Sequence, residues 1–439
     1  MNLTNLKNLL SSKECKEIYV KKLSENDNSK NQVYFARGSW ELLNVLPVEE
    51  IKEEAAGVWE KERFKARLNF SWINDEGKIT PAPNSQLILY PKYPEIRFSG
   101  FLKGAKNAPS TLMCQRLVNR LLFITVTNKG EVLGYVAHPD SQIAREFEQE
   151  KKLNELGVFK IISLPIIQDS RELLIQELLR IYYLDWIVSK RLDSKHNILP
   201  CRASNCGGYT LEAELGITPN GYSEPDFLGW EIKNFGVKNF SHLNSSRITL
   251  MTPEPTDGIY KHQGIEYFIR KYGYPDKKGR MDRFNFGGIH KNGKLNKNTN
   301  LELRLIGFDY ASGNIRNSNG KIILIDGNED EAASWSFSSM LLHWNKKHNK
   351  ACYVPSILKT NGDRKYKFGN KVFINTGTNF QLFLSQVANG NVFYDPGIKM
   401  VNVSSNRPKI KKRSQFRIVS KHIPSLYFQS ELVSILNKH

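Results

Sequence analysis

The feature that most constrains this chain is a change of texture near residue 141. From about residue 15 up to that point the apolar runs are short, rich in β-branched and aromatic residues, and closed by turn signals such as Asn74-Asp75-Glu76-Gly77 and Asn128-Lys129-Gly130. Candidate strands are Glu17–Lys21, Gln32–Phe35, Phe64–Trp72, Gln86–Tyr90, Leu121–Thr127 and Val132–Val136, with one helix expected within Trp40–Trp59. Many strands and little helix over about 125 residues describe a small barrel or pseudobarrel. Beyond the change, Ser141–Leu156 reads as a charged helix and Ser170–Leu192 as a long amphipathic one, in which Leu174, Leu178, Ile181, Tyr182 and Trp186 form a core stripe. Asp193–Gly208 reads as a loop, and from there to about Tyr427 helices and strands mix in an α+β or α/β body. The expected division is a β-rich domain at 1–150, a linker at 151–168 and a second domain at 169–439.

Charge narrows the partner. The 439 residues carry 63 Lys and Arg against 44 Asp and Glu, a formal net charge of +19. Such an excess concentrates polyanions at the surface and points to nucleic acid. Pro396–Ser430 holds no Asp or Glu but contains Lys399, Arg407, Lys409, Lys411, Lys412, Arg413, Arg417 and Lys421. A second basic stretch, Ile269–Lys297, interleaves Arg270, Lys271, Lys277, Lys278, Arg280 and Arg283 with aromatic residues, whereas the acidic cluster Asp326–Glu331 reads as a turn facing water. No window approaches the ~18 apolar residues of a membrane span. Met1–Glu14 alternates polar and apolar residues and lacks the apolar core of a secretory signal. Five scattered cysteines suit a reducing compartment better than a disulfide scaffold. A cytoplasmic protein with no membrane partner is expected.

The chemistry concentrates in Gly208-Tyr-Thr-Leu-Glu212 and in Pro225-Asp226-Phe-Leu-Gly-Trp-Glu231-Ile-Lys233. On a strand, Glu231 and Lys233 project to one face, and Trp230 and Ile232 to the other. Asp226 has the wrong parity for a regular strand, but a bend or bulge at Gly229 would bring its carboxylate to the same face. Two carboxylates are hard oxygen ligands for Mg²⁺, and the lysine can orient or help deprotonate a water beside a phosphodiester. Glu212, on a short helix expected at Thr210–Leu215, could approach as a further acid. An Asp and a Glu-x-Lys on a surface strand are otherwise only solvated charges.

With its flanking residues, this pattern resembles the MutH-like branch of the PD-(D/E)XK nucleases, and within it the MvaI/BcnI group of type II restriction endonucleases. The resemblance runs from Asp169 to Tyr427, through Ile248-Thr-Leu-Met-Thr-Pro-Glu-Pro, Arg270-Lys-Tyr-Gly, Trp335-Ser-Phe-Ser-Ser and Gln415-Phe-Arg-Ile418. It implies a mixed-sheet catalytic domain, with Asp226, Glu231 and Lys233 catalytic, Asp226 and Glu231 on Mg²⁺, and Glu212 supporting. Trp230 departs from the small or aliphatic residue expected before the glutamate. It also implies a double-stranded DNA substrate, a companion DNA methyltransferase, no need for ATP and a monomeric enzyme. The basic residues that would contact DNA are Arg270, Lys271, Arg407, Lys409, Lys411, Lys412 and Arg413.

Tyr19–Asp27, Gln32-Val-Tyr and Glu95-Ile-Arg97-Phe-Ser-Gly are similar to the effector DNA-binding domain of EcoRII-type enzymes, a pseudobarrel. That similarity implies DNA contacts from Lys22, Asn26, Arg97 and Lys103. Relatives of both domains read CC-GG sites with one central base pair, such as CC(A/T)GG. Three other readings remain open: a regulator whose nuclease fold has lost activity, a mismatch-repair-type nicking enzyme, and a modification-dependent nuclease.

Other motifs fail on their chemistry. Gly288-Ile-His-Lys-Asn-Gly293-Lys294 has P-loop spacing, but Leu295 stands where a Ser or Thr should hold Mg²⁺, so no nucleotide is expected. Cys201 and Cys206 lack a second ligand pair for zinc. His343 and His348 read as ordinary helix residues.

Overall fold

The computed structural model describes residues 1–37, 41–54, 63–91, 95–164, 170–218 and 226–436. The chain divides into two compact units, 1–167 with 314–319 and 168–313 with 320–439. It is mixed α+β throughout. No helix among the described residues is long and apolar enough to cross a membrane.

In the first unit, a seven-stranded sheet runs in the order Asn154–Leu156, Phe159–Ser163, Glu17–Leu23, Arg120–Val126, Val132–Ala137, Phe70–Ile73, Ile79–Pro81. A five-stranded sheet has the order Val33–Arg37, Glu95–Ser99, Gln86–Tyr90, Arg63–Leu68, Val48–Glu54. Strand alternation divides the apolar side chains. Ile18, Val20, Leu121 and Phe123 pack under the helices Leu3–Ser12 and Gln142–Glu148. Phe35, Phe70, Trp72, Phe98, Phe101 and Phe159 build an aromatic core, with Phe35 and Phe98 stacked at 5.0 Å.

Several expected elements differ here. The first residues form a helix, with Leu3, Leu6 and Leu10 buried at helical spacing and the Asn2 side chain capping it by accepting from Asn5 N. The helix expected within 40–59 is, where described, a short 3₁₀ turn at Glu41–Asn44 and the strand Val48–Glu54; residues 40 and 55–59 lie outside the described residues. Cross-strand ion pairs from Glu54 to Arg63 (2.8 Å) and Lys65 (2.6 Å) explain why so charged a run sits in a sheet. The charged helix expected at Ser141–Leu156 ends at Glu148. Within the expected linker, Asn154–Leu156 and Phe159–Ser163 are strands of the first unit's sheet.

The second unit centres on a six-stranded sheet. Ile187–Val188, Lys365–Phe368, Lys350–Lys359, Lys371–Thr376 and Gln429–Ser434 lie in that order, and Glu231–Gly236 runs parallel to Lys350–Lys359. The helix Ser170–Tyr183 buries Leu174, Leu178 and Ile181. It stops short of Leu192 because Asp185 takes a positive φ of 58° and β-branched Ile187-Val188 enters the sheet. Two smaller sheets of this unit are Arg247–Met251/Phe416–Val419/Val392–Tyr394 and Tyr274–Pro275/Arg283–Gly287/Gly397–Val401/Lys409–Lys411. The motifs around Pro253, Trp335 and Phe416 converge in this unit. Trp335 Nε1 donates to Pro253 O at 3.0 Å, and the Trp335 and Phe416 rings lie 5.1 Å apart.

Candidate active site

The site begins with a tight hairpin. Phe227 N donates to Trp230 O (3.0 Å) and Trp230 N to Phe227 O (2.8 Å), around Leu228 and Gly229 at φ 48° and 85°. Two consecutive positive φ values are the signature of a type I′ turn, and Gly229 supplies the second without strain. The chain therefore doubles back instead of bulging. Asp226 comes to lie beside the start of the strand Glu231–Gly236, where its Oδ2 accepts from Ile232 N at 3.0 Å. Trp230 and Ile232 sink into the core, and Trp230 Nε1 donates to Ser170 Oγ at 3.3 Å. The unusual tryptophan thus serves packing behind the strand.

The helix Cys206–Glu214 brings in Glu212. Thr210 pins that helix: its hydroxyl donates to Cys206 O (2.7 Å) and accepts from Lys190 N (3.2 Å). At Gly207 a Cβ would stand 2.4 Å from Asn234 Oδ1, so only glycine lets the helix pack this closely on the strand. Cys201 and Cys206 form a disulfide that clamps the approach to the helix, unlike the free thiols expected from their scatter; a Cα separation of 5.8 Å suits the bond.

Glu231 is 1% exposed. Its Oε1 takes the Lys233 ammonium, and its buried Oε2 has no hydrogen-bond partner, with the Lys347 ammonium 3.8 Å away. Burial favours a neutral Glu231, but Lys233, with help from Lys347, holds its pKa below the ordinary value. Lys233 is held above its own despite burial, mainly by Glu231 with Asp226 and Glu212, so it remains an ammonium. The other two acids are pushed the opposite way. Burial and the charge of Asp226 raise Glu212 to about 7, and burial and the charge of Glu231 raise Asp226 to about 6. These groups line a cleft of ≈ 700 Å³ with Arg247, Lys347, Arg413, Gln415 and Arg417.

The carboxylates suit a divalent cation. Glu231 offers an unpartnered buried oxygen, and the raised acids mark unrelieved negative charge. Among the described residues no three His, Cys, Asp or Glu side chains form a ready cage. Mg²⁺ needs none, since it commonly takes one or two carboxylates and completes its shell with water and phosphate oxygens.

Sequence reasoning missed Lys347, the last residue of the helix Phe337–Lys347, because nothing in its spacing ties it to residue 231. His348, read as ordinary, is buried beside this site, stacked on Trp344 at 4.2 Å and pushed by burial down to about 3.

The basic residues divide. Arg413 edges the cleft, and Arg407, Lys409, Lys411 and Lys412 are exposed nearby in sequence. Arg270 is instead tied to Glu266 (2.8 Å) and Val403 O (3.0 Å), and Lys271 to Asp330 (3.3 Å) and Asp326 (3.4 Å). The acidic cluster is thus not merely a water-facing turn: Asp326 also accepts from Tyr272 Oη, and Glu331 pairs with Lys321.

The first unit has its own open cleft of ≈ 920 Å³, where Asn26 and Arg97 meet Lys21, Lys30, Tyr34, Tyr90 and Arg116. Lys22 instead pairs with Glu148 at 2.7 Å, and Lys103 is exposed outside the lining. Arg120, buried and unnoticed in the sequence, shapes this cleft by donating to the carbonyls of Ser24, Asp27, Leu112, Met113 and Leu117.

Comparison with known proteins gives the class first: the chain is a site-specific deoxyribonuclease of the restriction-endonuclease kind. It belongs to the MvaI/BcnI restriction endonuclease family, whose model matches residues 175–427. Among solved structures it is similar to the complex of restriction endonuclease MvaI with its cognate DNA substrate, at 20% identity over 62% of this chain and 100% of that one, with a TM-score of 0.46. MvaI in the absence of DNA matches at 19% identity over 61% of this chain and 99% of that one, with a TM-score of 0.34. No curated protein matches significantly.

Proposed function

We propose that the second unit hydrolyses phosphodiester bonds of double-stranded DNA with Mg²⁺ and without ATP, using Asp226, Glu231, Lys233 and Glu212. The observation that carries this reading is the buried Glu231, with Lys233 on one oxygen and no hydrogen-bond partner on the other, beside an Asp226 delivered by a hairpin. Asp226 and Glu231 would hold the metal, which when bound supplies Lewis-acid stabilisation of charge on the phosphate and a more acidic water. Lys233, kept cationic by the surrounding carboxylates, orients the water and faces the phosphate; it is not the base. Glu212, raised to about 7, is the residue suited to exchanging a proton near neutrality. Arg413 on the cleft edge supplies charge for the DNA backbone, whereas Arg417 beside it is held by Asp395 at 2.7 Å.

The first unit, on this reading, binds a further copy of the target through the cleft of Asn26 and Arg97, in the manner of an effector domain. The target is a CC-GG site with one central base pair, protected in the host by a companion methyltransferase. The enzyme acts as a monomer that cuts the strands in turn. Digestion of plasmid DNA in Mg²⁺, with the ends sequenced, tests the reading. It expects defined ends and a transient nicked circle. No cleavage by the wild type, or undiminished cleavage by both Asp226→Asn and Glu231→Gln, would overturn it.

A further inference from the structure

We propose that the hairpin between Tyr274–Pro275 and Arg283–Gly287 carries an apolar wedge, Met281, which enters between base pairs of the bound duplex. The proposal rests on the nuclease reading of the second unit and adds where, and by what contact, the DNA is deformed.

Two basic runs more than a hundred residues apart in sequence are one sheet. Arg283 is paired with Val401 and Asn285 with Lys399, while Lys399 is paired in turn with Lys411 and Val401 with Lys409. Lys399 is so crowded by Arg283, Lys411, Arg280 and Arg413 that their charge adds to burial in lowering its pKa. Arg283 has Asp276 beside it at 3.2 Å, but the groups crowding Lys399 are cations, and closely spaced phosphates stabilise such an excess.

Both acids of the hairpin loop are used to hold it. Asp276 accepts from Lys278 N (2.9 Å) and Asn285 Nδ2 (3.0 Å), and lies 3.2 Å from Arg283 Nε. Asp282 accepts from Ser404 N (2.8 Å) and Ser404 Oγ (2.5 Å), tying the tip to the turn after the neighbouring strand. Between these anchors Met281 is 91% exposed, whereas Met113, Met251, Met340 and Met400 are buried. A single exposed apolar side chain needs no explanation by itself. A methionine presented on a tethered tip, flanked by Lys277, Lys278 and Arg280, does. Its unbranched thioether can follow an irregular gap, and apolar side chains of this kind open base steps in kinked duplexes.

The reach is right. Arg413, on the catalytic cleft, bonds through its carbonyl to Gly397 N, and Gly397 is paired with Gly287. Met281 lies six residues from Gly287, past the strand Arg283–Gly287 and one turn residue, at most about 20 Å at ~3.3 Å per residue. One turn of duplex, about 34 Å, covers both.

The test uses the full-length protein in Ca²⁺, bound to a duplex carrying the mapped cleavage site, with a free methionine peptide as oxidant control. Dilute hydrogen peroxide should convert Met281 to its sulfoxide at least about tenfold more slowly when the duplex is present. A 2-aminopurine moved along the duplex should brighten at one step, lose that signal with Met281→Ala and regain it with Met281→Leu. Equal oxidation with and without a duplex that is demonstrably bound overturns the wedge. Protection without brightening at any step also overturns it, leaving a surface contact. Failure to bind or cut DNA at all is the separate failure of the nuclease reading.

Discussion

The two units each present an open cleft lined with charge, and they treat that charge in opposite ways. In the first unit the carboxylate that lines the cleft among the described residues, Asp27, is fully engaged: Lys21 stands 2.7 Å from it, and it accepts from Tyr34 N and Ser24 N. The loop carrying it is drawn down by the buried Arg120; Lys30, Arg116, Asn26 and Asn31 line the opening, together with Arg97, which is paired with Glu95. In the second unit the carboxylates are left under-compensated. Glu231 keeps a buried oxygen without a hydrogen bond, and Glu212 and Asp226 are raised to about 7 and about 6. A satisfied acid shapes a surface; an unsatisfied acid awaits a ligand. On the proposed reading, binding belongs to the first arrangement and chemistry to the second.

The largest effects should come from removing the unsatisfied charges. Asp226→Asn, Glu231→Gln and Lys233→Ala should each lower plasmid cleavage by about two to three orders of magnitude or more, while binding in Ca²⁺ persists. Lys347→Ala, acting on the far oxygen of Glu231, should cost less, about tenfold. If Lys347→Ala proved as damaging as Lys233→Ala, the two ammonium groups would have to be regarded as one unit.

Neutralising Lys409, Lys411, Lys412 and Arg413 together should come next. Every phosphate that is no longer neutralised lowers the log–log salt slope by about 0.9, so the set should lower it by up to about 3.6. An unchanged slope would show that the duplex avoids this edge of the second cleft.

The first cleft should yield a smaller and different effect. Arg120→Met strands its carbonyl partners and should destabilise the first unit by about 2–4 kcal/mol. If that unit binds a second target copy, two-site plasmids are cut faster than one-site plasmids by the wild type, and Arg97→Gln or Arg120→Met abolishes the difference. Equal rates on both plasmids with the wild type would leave the cleft without an effector role.

How far the sequence foretold this contrast depended on how local each signal was. Glu231, Lys233 and their alternation with Trp230 and Ile232 were legible because a strand has period two. The approach of Asp226 was legible only as a departure from that period; the mirror-image turn at Leu228-Gly229 that produces it was not resolved from a bulge. Lys347 and Arg120 were invisible, since their roles arise from partners 116 residues away for the first and 93 and 96 for the second. For Arg270 and Lys271 the reason is the converse: a basic run reveals charge but not that Glu266 and Asp330 stand beside it. The Leu3–Leu6–Leu10 stripe was present in the sequence and was lost to a period-two reading.

The smallest predicted effect has the sharpest sign. Unfolded, Asp226 and Glu212 titrate near 3.8 and 4.5; folded, they retain their protons to about 6 and about 7. The folded state therefore binds more protons between about pH 4 and 7, and stability must fall as pH rises through that window. Both groups are partly exposed and share one repulsion, so the joint loss is about 2 kcal/mol, less than the shifts taken singly would give. In metal-free protein the midpoint of thermal unfolding should drop between pH 5 and 8. Asp226→Asn or Glu212→Gln should remove much of the drop, and Arg97→Gln in the first cleft should remove none. Mg²⁺ or Ca²⁺ at pH 8 should restore the wild type but not Asp226→Asn, because a cation relieves the repulsion only where both ligands remain charged. A drop that survives both carboxylate substitutions would place the pH-sensitive charge elsewhere and erase the distinction drawn between the two clefts.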